Sequence, residues 1–232
     1  MDIVTFAWLK NNSEGTWEEK HSWWEPDIDL FNKYITRLAN GIDRTFTRTH
    51  RKILFTSFPD KITDDRWDLI KFDPKFKRVT NKFICYDPKY DVDDKIILTD
   101  LDIVFIENWD YLLENDCNII INNTHGTSRL DTPFPGGGFI YVRDRTSLFD
   151  KITKPLYELT QQTYDISTLR ERIWFDHQIG ARNIKYWQKE FPGSVVSYKK
   201  DWNEGRRGKI CWHHGHPRPH ECPDDYKKKY WI

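Results

Sequence analysis

The chain has 232 residues, of which 38% are hydrophobic, 31% charged and 16% aromatic. Its 36 basic and 36 acidic side chains give a formal net charge of zero, which argues against a general nucleic-acid-binding protein because such proteins carry a basic excess. The length fits a single α/β domain, the N-terminal residues lack the basic start of a signal peptide, and no apolar stretch of about 18 residues predicts a membrane span.

The first half of the chain alternates apolar runs with one helical pattern. Apolar residues recur at helical spacing within residues 29–40, and the Asn40-Gly41 pair predicts the end of that helix. Residues 82–86 fit either an extended stretch or a helical turn. Apolar runs predict strands at residues 3–8, 52–58, 67–72 and 95–105.

The second half continues the alternation of strands and helices. Helical turns or helices are predicted at residues 109–113, 147–164 (one helix with a kink at Pro155, or two helices around it) and 174–184, and the tail at 217–232 is expected to wrap the surface. Strands are predicted at 118–122, 139–142, 195–198 and 209–214. This order predicts an α/β fold whose sheet is largely parallel towards its N-terminal part.

Two carboxylates interrupt the strongest predicted strand. Asp100 and Asp102 lie in KIILTDLDIVFIEN, between two apolar runs, although Asp is depleted in strands and an unpaired buried carboxylate is costly. Residues i and i+2 of a strand share a face, so both carboxylates could meet one cation, and carboxylate oxygens suit Mg²⁺ and Mn²⁺. The alternative is a pair of surface acids or a capping Asp at a strand end.

Histidines are concentrated near the C-terminus, in the segment WHHGHPRPH at residues 212–220. Imidazole is a common metal ligand, glycine permits close backbone approach to a phosphate, and Arg218 could bind phosphate through paired donors. The four cysteines fit no zinc template, which leaves a metal or phosphate site or a His-rich surface loop.

Two further segments are ambiguous by themselves. The run Pro135-Gly136-Gly137-Gly138 permits positive φ and close ligand approach, but it also fits a tight turn and lacks a dinucleotide or P-loop pattern. In the segment FDHQ, Asp176 could face a ligand or could cap a helix.

Taken together, these segments resemble the nucleotide-sugar-dependent glycosyltransferases of the GT-A fold, in particular small bacterial and viral ones. The resemblance spans nearly the whole chain and rests on an ordered set of segments: IVTFAW, NKFICY, KIILTDLDIVFIENWDYL, PGGGFIYV, FDHQIG, FPGSVVSYK and KICWHHGHPRPHE. It implies a single Rossmann-like α/β domain with a mixed, mostly parallel central sheet flanked by helices. Residues 1–108 would hold the nucleotide, and residues 109–232 would hold the donor sugar, the acceptor and a terminal metal and phosphate loop.

The resemblance also implies metal-binding roles, for Mn²⁺ or Mg²⁺. Asp102 would be the firmest metal ligand, and Asp100 would bind the metal or the ribose of the donor. His214 would be the third protein ligand, with His213 as its rival.

Roles in donor binding follow from the same resemblance. Arg218 stands where the family has a lysine and would contact the diphosphate, and Gly215, which directly follows His214, would also bind the donor. Asp176 would act as base or stabiliser at the donor sugar. Lys82 and Lys199 would hold the donor, and the first strand would hold the nucleotide base through Thr5, Phe6, Ala7 and Trp8.

The resemblance implies a hexosyltransferase-like enzyme that transfers a sugar from a nucleotide-diphosphate sugar to a glycan or other hydroxyl acceptor. UDP is the family's usual nucleotide. Inversion and retention are equally compatible with the residues, and residues 9–26 and 123–135 are the candidate acceptor loops. The protein is expected in the cytoplasm, bacterial or that of a viral host. Two alternatives use the same residues: a metal-dependent phosphoesterase or nuclease, and a non-catalytic carbohydrate-binding module built on the Trp residues.

Overall fold

The computed structural model describes residues 1–8, 28–73, 78–127, 130–131, 133, 135–161 and 184–232. Its helices are α1 (Ile28–Thr45), α2 (Thr146–Leu148), α3 (Lys154–Gln161), α4 (Trp187–Glu190) and α5 (Asp224–Tyr230). A π-helical turn, Phe149–Thr153, joins α2 to α3. The described 3-10 turns are Pro59–Lys61, Arg78–Tyr86, Asp110–Leu113, Trp202–Glu204 and Pro219–Glu221. The strands are β1 (Asp2–Ala7), β2 (Arg51–Thr56), β3 (Asp68–Lys71), β4 (Ile96–Thr99), β5 (Ile103–Phe105), β6 (Ile119–Asn123), β7 (Pro135–Val142), β8 (Lys185–Tyr186), β9 (Val195–Ser197) and β10 (Ile210–Trp212).

Seven of the described strands form one large sheet in the order β3-β2-β1-β4-β7-β6-β8. Strands β3, β2, β1 and β4 run parallel, β7 is antiparallel to both β4 and β6, and β8 is parallel to β6. The other three described strands form a small sheet, β5-β10-β9, in which β10 is antiparallel to β5 and parallel to β9. The expected mixed, mostly parallel central sheet is confirmed.

Both faces of the large sheet are covered. In β1, Ile3 and Ala7 join a core with α1 and the small sheet, whereas Val4 and Phe6 join a second core with the Arg78–Tyr86 turn and α3. Successive side chains of a strand point to opposite faces, so a strand buried on both faces must be apolar throughout. This explains why β1 and β4 are near-continuous apolar runs.

Helix α1 is longer than its sequence pattern predicts. The predicted end at Asn40-Gly41 is wrong, because α1 continues to Thr45. A Cβ atom added to Gly41 would lie 3.3 Å from the Cβ atom of Phe105, so the glycine lets α1 pack closely on β5. Packing against the small sheet therefore outweighs the weak local preference of glycine for a helix end.

The strand predicted at residues 95–105 is two strands in two different sheets. Strand β4 ends at Thr99 and β5 begins at Ile103, with a turn between them in which the Ile103 amide approaches the Asp100 carbonyl at 3.4 Å. The prediction that Asp100 and Asp102 share the face of one strand is therefore wrong. Since carboxylates are poorly tolerated inside a buried ladder, the chain leaves the large sheet at this point.

The glycine run belongs to a strand and not to a turn. Strand β7 already begins at Pro135, and the described glycines with positive φ lie elsewhere, at positions 126, 193, 205 and 215. A Cβ atom at Gly136 would lie 2.8 Å from Cη2 of Trp212, and one at Gly138 would overlap the indole nitrogen of the same ring. The glycines are thus needed for the close approach of Trp212 to the strand backbone.

The remaining predicted elements in the described residues are confirmed with small shifts in their bounds. Residues 82–86 lie in the 3-10 turn Arg78–Tyr86. The helical segment predicted from residue 147 is divided into α2 and α3 by the π-helical turn that ends just before Lys154 and Pro155. The tail does more than wrap the surface, because Tyr226 and Trp231 are buried. The loop at 9–26, the end of the helix predicted at 147–164 and nearly all of the helix predicted at 174–184 lie outside the described residues. No described helix is long and apolar enough to cross a membrane.

Candidate active site

The candidate site lies where β1 and β4 end, at the carboxyl edge of the parallel part of the large sheet. Because β7 runs antiparallel to β4, its glycine-rich start lies at the same edge, and the Asp100 amide donates to the Gly138 carbonyl at 2.8 Å. The Thr5 hydroxyl donates to the Thr99 carbonyl at 2.8 Å and ties the ends of β1 and β4 together. Open α/β sheets bind ligands outside the carboxyl ends of their strands.

Asp100 is the more accessible of the two carboxylates, with 28% of its side chain exposed. Its Oδ1 atom pairs with the ammonium group of Lys82, whose side chain is only 6% exposed. The same ammonium group lies 3.4 Å from the Gly137 carbonyl. Lys82 belongs to a 3-10 turn that buries Phe83 and Tyr86 in the core, which fixes the position of the lysine. The structure thus brings together two of the residues predicted to bind the donor.

Asp102 is buried, with 7% of its side chain exposed. Its Oδ2 atom pairs with Nη1 of Arg218, which lies 116 residues further along the chain. Its Oδ1 atom is buried and has no hydrogen-bond partner among the described residues. A buried carboxylate oxygen without a partner is unfavourable, and a cation at this position would satisfy it.

Arg218 reaches Asp102 because β10 returns beside β5. The His213 amide approaches the Asp102 carbonyl at 3.3 Å, just beyond the last β5–β10 pair. The chain then turns at Gly215, where φ is +75°. Glu221 holds the end of the turn, because its Oε2 atom accepts from the Arg218 amide at 2.6 Å and lies 2.7 Å from Nδ1 of His216. These contacts position the Arg218 backbone so that its side chain reaches Asp102.

His213 belongs to the core rather than to the site. Its Nε2 atom lies 2.9 Å from the Tyr226 hydroxyl, its Nδ1 atom lies 3.1 Å from the Pro217 carbonyl, and its ring stacks on Tyr198 at 4.4 Å between centroids. Burial lowers the pKa of His213 to about 4. These contacts give His213 a packing role, which favours His214 as the ligand, and the choice between the two histidines stays a prediction.

His214 lies beside Trp212, whose ring packs on the glycine-rich start of β7. Its ring lies 4.5 Å from the Trp212 ring, and its Nε2 atom is 2.8 Å from the Ser197 hydroxyl. Burial, followed by the charges of Lys199 and Lys200, lowers the pKa of His214 to about 4. A neutral imidazole is the form that binds metals.

The two carboxylates fit a divalent cation by their chemistry, since one is partly exposed and the other has a buried oxygen without a partner in the described part of the chain. Within the part of the chain that the structure describes, no group of three or more His, Cys, Asp or Glu side chains is arranged to hold a metal. His214 as the third ligand therefore stays a prediction, as does Lys199, which is exposed near it.

The N-terminal strand offers little side-chain surface to a nucleotide base. Thr5, Phe6 and Ala7 are buried, and Phe6 stacks on Phe55 at 4.8 Å between centroids. Trp8 is partly exposed and packs edge-on against Phe6 and Phe72, each at 6.2 Å. Binding of the base at this strand stays a prediction, with the Trp8 ring as its accessible face.

Asn122 is a polar residue at this edge that the sequence reasoning did not assign. It lies near the carboxyl end of β6, opposite Gly136 of β7, and is fully buried. Neither polar atom of its amide has a hydrogen-bond partner in the described part of the chain. The sequence signal that could have identified Asn122 is the pair Asn122-Asn123 directly after an apolar run. Asn, like Asp, is depleted in strands, so its presence at a strand end is unexpected.

The rest of the predicted site falls outside the described residues. This applies to Asp176 and the whole FDHQIG segment, to the Trp-rich loop at 9–26, and to residues 128, 129, 132 and 134 of the second candidate acceptor loop. Their roles stay predictions.

Solved glycosyltransferases share this fold. An active-site mutant of LgtC superposes with a TM-score of 0.62 at 11% sequence identity, over 94% of this chain and 89% of that one. The galactosyltransferase LgtC in complex with donor and acceptor sugar analogues gives 0.58 at 10% identity, over the same shares of 94% and 89%. The glycosyltransferase GlyE of Streptococcus pneumoniae TIGR4 also gives 0.58 at 10% identity, over 94% of this chain and 55% of GlyE.

At this level of identity the likeness establishes the fold, which is the GT-A type expected from the sequence. No protein-family model matches the chain, and no curated protein matches it.

Proposed function

We propose that this protein is a metal-dependent glycosyltransferase that moves a sugar from a nucleoside-diphosphate sugar, with UDP as the nucleotide, to a hydroxyl group of a glycan. One observation carries the proposal. Two carboxylates lie next to two buried basic side chains at the carboxyl edge of a fold shared with glycosyltransferases, and one carboxylate has a buried oxygen that lacks a partner among the residues that the structure describes.

The acidic and the basic residues of the site would have different roles. Asp100 and Asp102 would hold Mn²⁺ or Mg²⁺, and the bound ion would supply positive charge to the diphosphate leaving group. Lys82 and Arg218 would lie on the same diphosphate, because both are already placed at the two carboxylates. Preorganised positive charge at the position where negative charge develops lowers the barrier to breaking the bond between the sugar and the diphosphate.

His214 would complete the ligand set as a neutral imidazole. Its lowered pKa keeps it unprotonated above about pH 4, so protonation would not compete with metal binding at neutral pH. Asp176 keeps the role that the resemblance gives it, at the donor sugar and the acceptor hydroxyl. In an inverting reaction, a carboxylate within hydrogen-bond reach of the acceptor hydroxyl would act as the base that takes up its proton.

Asn122 is proposed to hydrogen-bond a sugar hydroxyl, because its buried amide has no partner among the described residues and lies at the same edge. Substitution Asn122→Leu, which is close in shape, is expected to raise the free energy of unfolding by about 1 kcal/mol, since an unsatisfied buried amide is removed. The same substitution is expected to lower kcat/KM for sugar transfer about 10-fold or more, since a hydrogen bond to substrate is lost.

The matched control is Asn118→Leu, at the exposed residue directly before β6. Denaturant unfolding and initial-rate kinetics measure both effects. An unchanged kcat/KM in Asn122→Leu would show that the amide does not bind the sugar and affects folding alone.

Thermal unfolding with nucleotides and metal tests the proposed function. UDP and Mn²⁺ together, at about 100 times the dissociation constant, are expected to raise Tm by about 5–10 °C, while each alone raises it much less. Product analysis with a panel of nucleotide sugars and hydroxyl acceptors then identifies transfer. Absence of any metal-dependent nucleotide effect would overturn the proposal, and hydrolysis of phosphodiesters without sugar transfer would favour the phosphoesterase.

A further inference from the structure

Two basic side chains already neutralise the carboxylates that are proposed to bind the metal. Arg218 pairs with Asp102, and Lys82 pairs with Asp100. The side chains of both basic residues are largely buried, at 11% and 6% exposure. Two carboxylates and two basic groups carry no net charge together, so a divalent cation added alone would place two uncompensated positive charges in a poorly solvated site.

A nucleoside diphosphate changes this balance, because it brings several negative charges to the same position. Arg218 cannot lose its proton at physiological pH, so it needs an anion whenever it is buried. If its guanidinium group turns from Asp102 to the diphosphate, both oxygens of Asp102 become available to the metal and Arg218 keeps an anionic partner. The diphosphate then frees Asp102 for the metal, and the metal offsets the negative charge of the diphosphate, so each would favour binding of the other.

The structure shows why Arg218 rather than Lys82 would make this exchange. The Lys82 ammonium group also lies 3.4 Å from the Gly137 carbonyl, and its 3-10 turn is anchored in the core. The Arg218 backbone is fixed by Glu221, but its side chain is long and spans the distance to Asp102 from a turn. In this exchange the guanidinium group would change partner by rotation about side-chain bonds, while the backbone of Arg218 keeps its position.

We propose that Arg218 is an exchangeable counter-ion of Asp102 that makes the binding of a divalent cation and of a nucleoside diphosphate cooperative. This inference rests on the proposed function. By thermodynamic linkage, UDP and Mn²⁺ must each tighten the binding of the other by the same factor.

Electron paramagnetic resonance of free Mn²⁺ measures metal binding without any need for turnover. In the unchanged protein, saturating UDP is expected to lower the Kd for Mn²⁺ at least about 10-fold. Substitution Arg218→Gln removes the competing charge, so the Kd for Mn²⁺ without UDP is expected to fall about 10-fold and most of the effect of UDP to disappear. Arg218→Lys keeps the charge and is expected to retain cooperativity, as is the control Lys151→Gln, which removes a positive charge from an exposed position.

Two results would overturn the inference: an unchanged or higher Kd for Mn²⁺ without UDP in Arg218→Gln, or no effect of UDP on Mn²⁺ binding in the unchanged protein. The second result needs no variant, so the test survives if Arg218→Gln does not fold. Metal-dependent binding of UDP that is equally cooperative in the unchanged protein and in Arg218→Gln would remove this inference and leave the proposed function intact. Failure of the unchanged protein to bind UDP with or without Mn²⁺ would remove both.

Discussion

Replacing Asp102 by Asn is expected to lower sugar transfer at least about 10³-fold. The substitution keeps the size and burial of the side chain but removes the negative charge that is proposed to hold the metal. It also leaves the buried guanidinium group of Arg218 without its carboxylate. Initial rates of nucleoside-diphosphate release from the best donor, at saturating Mn²⁺, measure the loss.

Asp116→Asn is the matched control, because that carboxylate is fully exposed and far from β4 in the chain. Its turnover is expected to equal that of the unchanged protein. Circular dichroism of Asp102→Asn shows whether the fold is retained, so that a lost activity can be assigned to the site. A folded Asp102→Asn protein with normal turnover would contradict the role of this residue.

Replacing Arg145 by Met is expected to lower the free energy of unfolding by about 4 kcal/mol. Arg145 is buried, and its guanidinium group donates to four backbone carbonyls, those of Cys85 at 2.9 Å, Asp87 at 2.9 Å, Val92 at 2.6 Å and Asp93 at 3.1 Å. Methionine fills similar space but leaves these carbonyls without a donor, and an unsatisfied buried polar group costs about 1–3 kcal/mol. The loss is a large share of the stability of a typical domain.

The position of Arg145 links this loss to the site. The Cys85 carbonyl belongs to the 3-10 turn that carries Lys82, and the other three carbonyls belong to the loop directly after that turn. Denaturant unfolding measures the change, and Arg143→Met is the control, since Arg143 is two residues away and 39% exposed. That control is expected to leave the free energy of unfolding nearly unchanged, because exposed ion pairs contribute little to stability. Equal stabilities of the two variants would show that the buried network is not important for folding.

The sequence pattern identifies the carboxylate pair but not its surroundings. Asp100 and Asp102 stand out because acids are unexpected between two apolar runs, and that argument uses local preferences alone. Their basic partners are far away in sequence, so no periodicity could pair Arg218 with Asp102 across 116 residues. The change of sheet between the two acids also depends on the return of β10, which is a long-range contact.

The two-residue repeat of a β-strand could have assigned the neighbouring histidines His213 and His214 to opposite faces from the sequence alone. Strand alternation places Cys211 and His213 on one face and Trp212 and His214 on the other. The structure follows this pattern, with His213 against Tyr226 in the core and His214 against the Trp212 ring.

Two structural predictions that were based on glycine were wrong. Gly41 suggested the end of a helix, and the run before Phe139 suggested a turn. In both places the small side chain instead permits close packing, of α1 on Phe105 and of the Trp212 ring on β7. Such contacts depend on which elements become neighbours in the fold, and this information is not present in the local sequence.

The most direct test of the account is a crystal structure with Mn²⁺ and UDP, with an anomalous difference map measured near the manganese absorption edge. The account predicts one strong anomalous peak within coordination distance of Asp100 and Asp102, with the Arg218 guanidinium group on the diphosphate. UDP bound elsewhere, or no manganese at these carboxylates while Arg218 still pairs with Asp102, would contradict it.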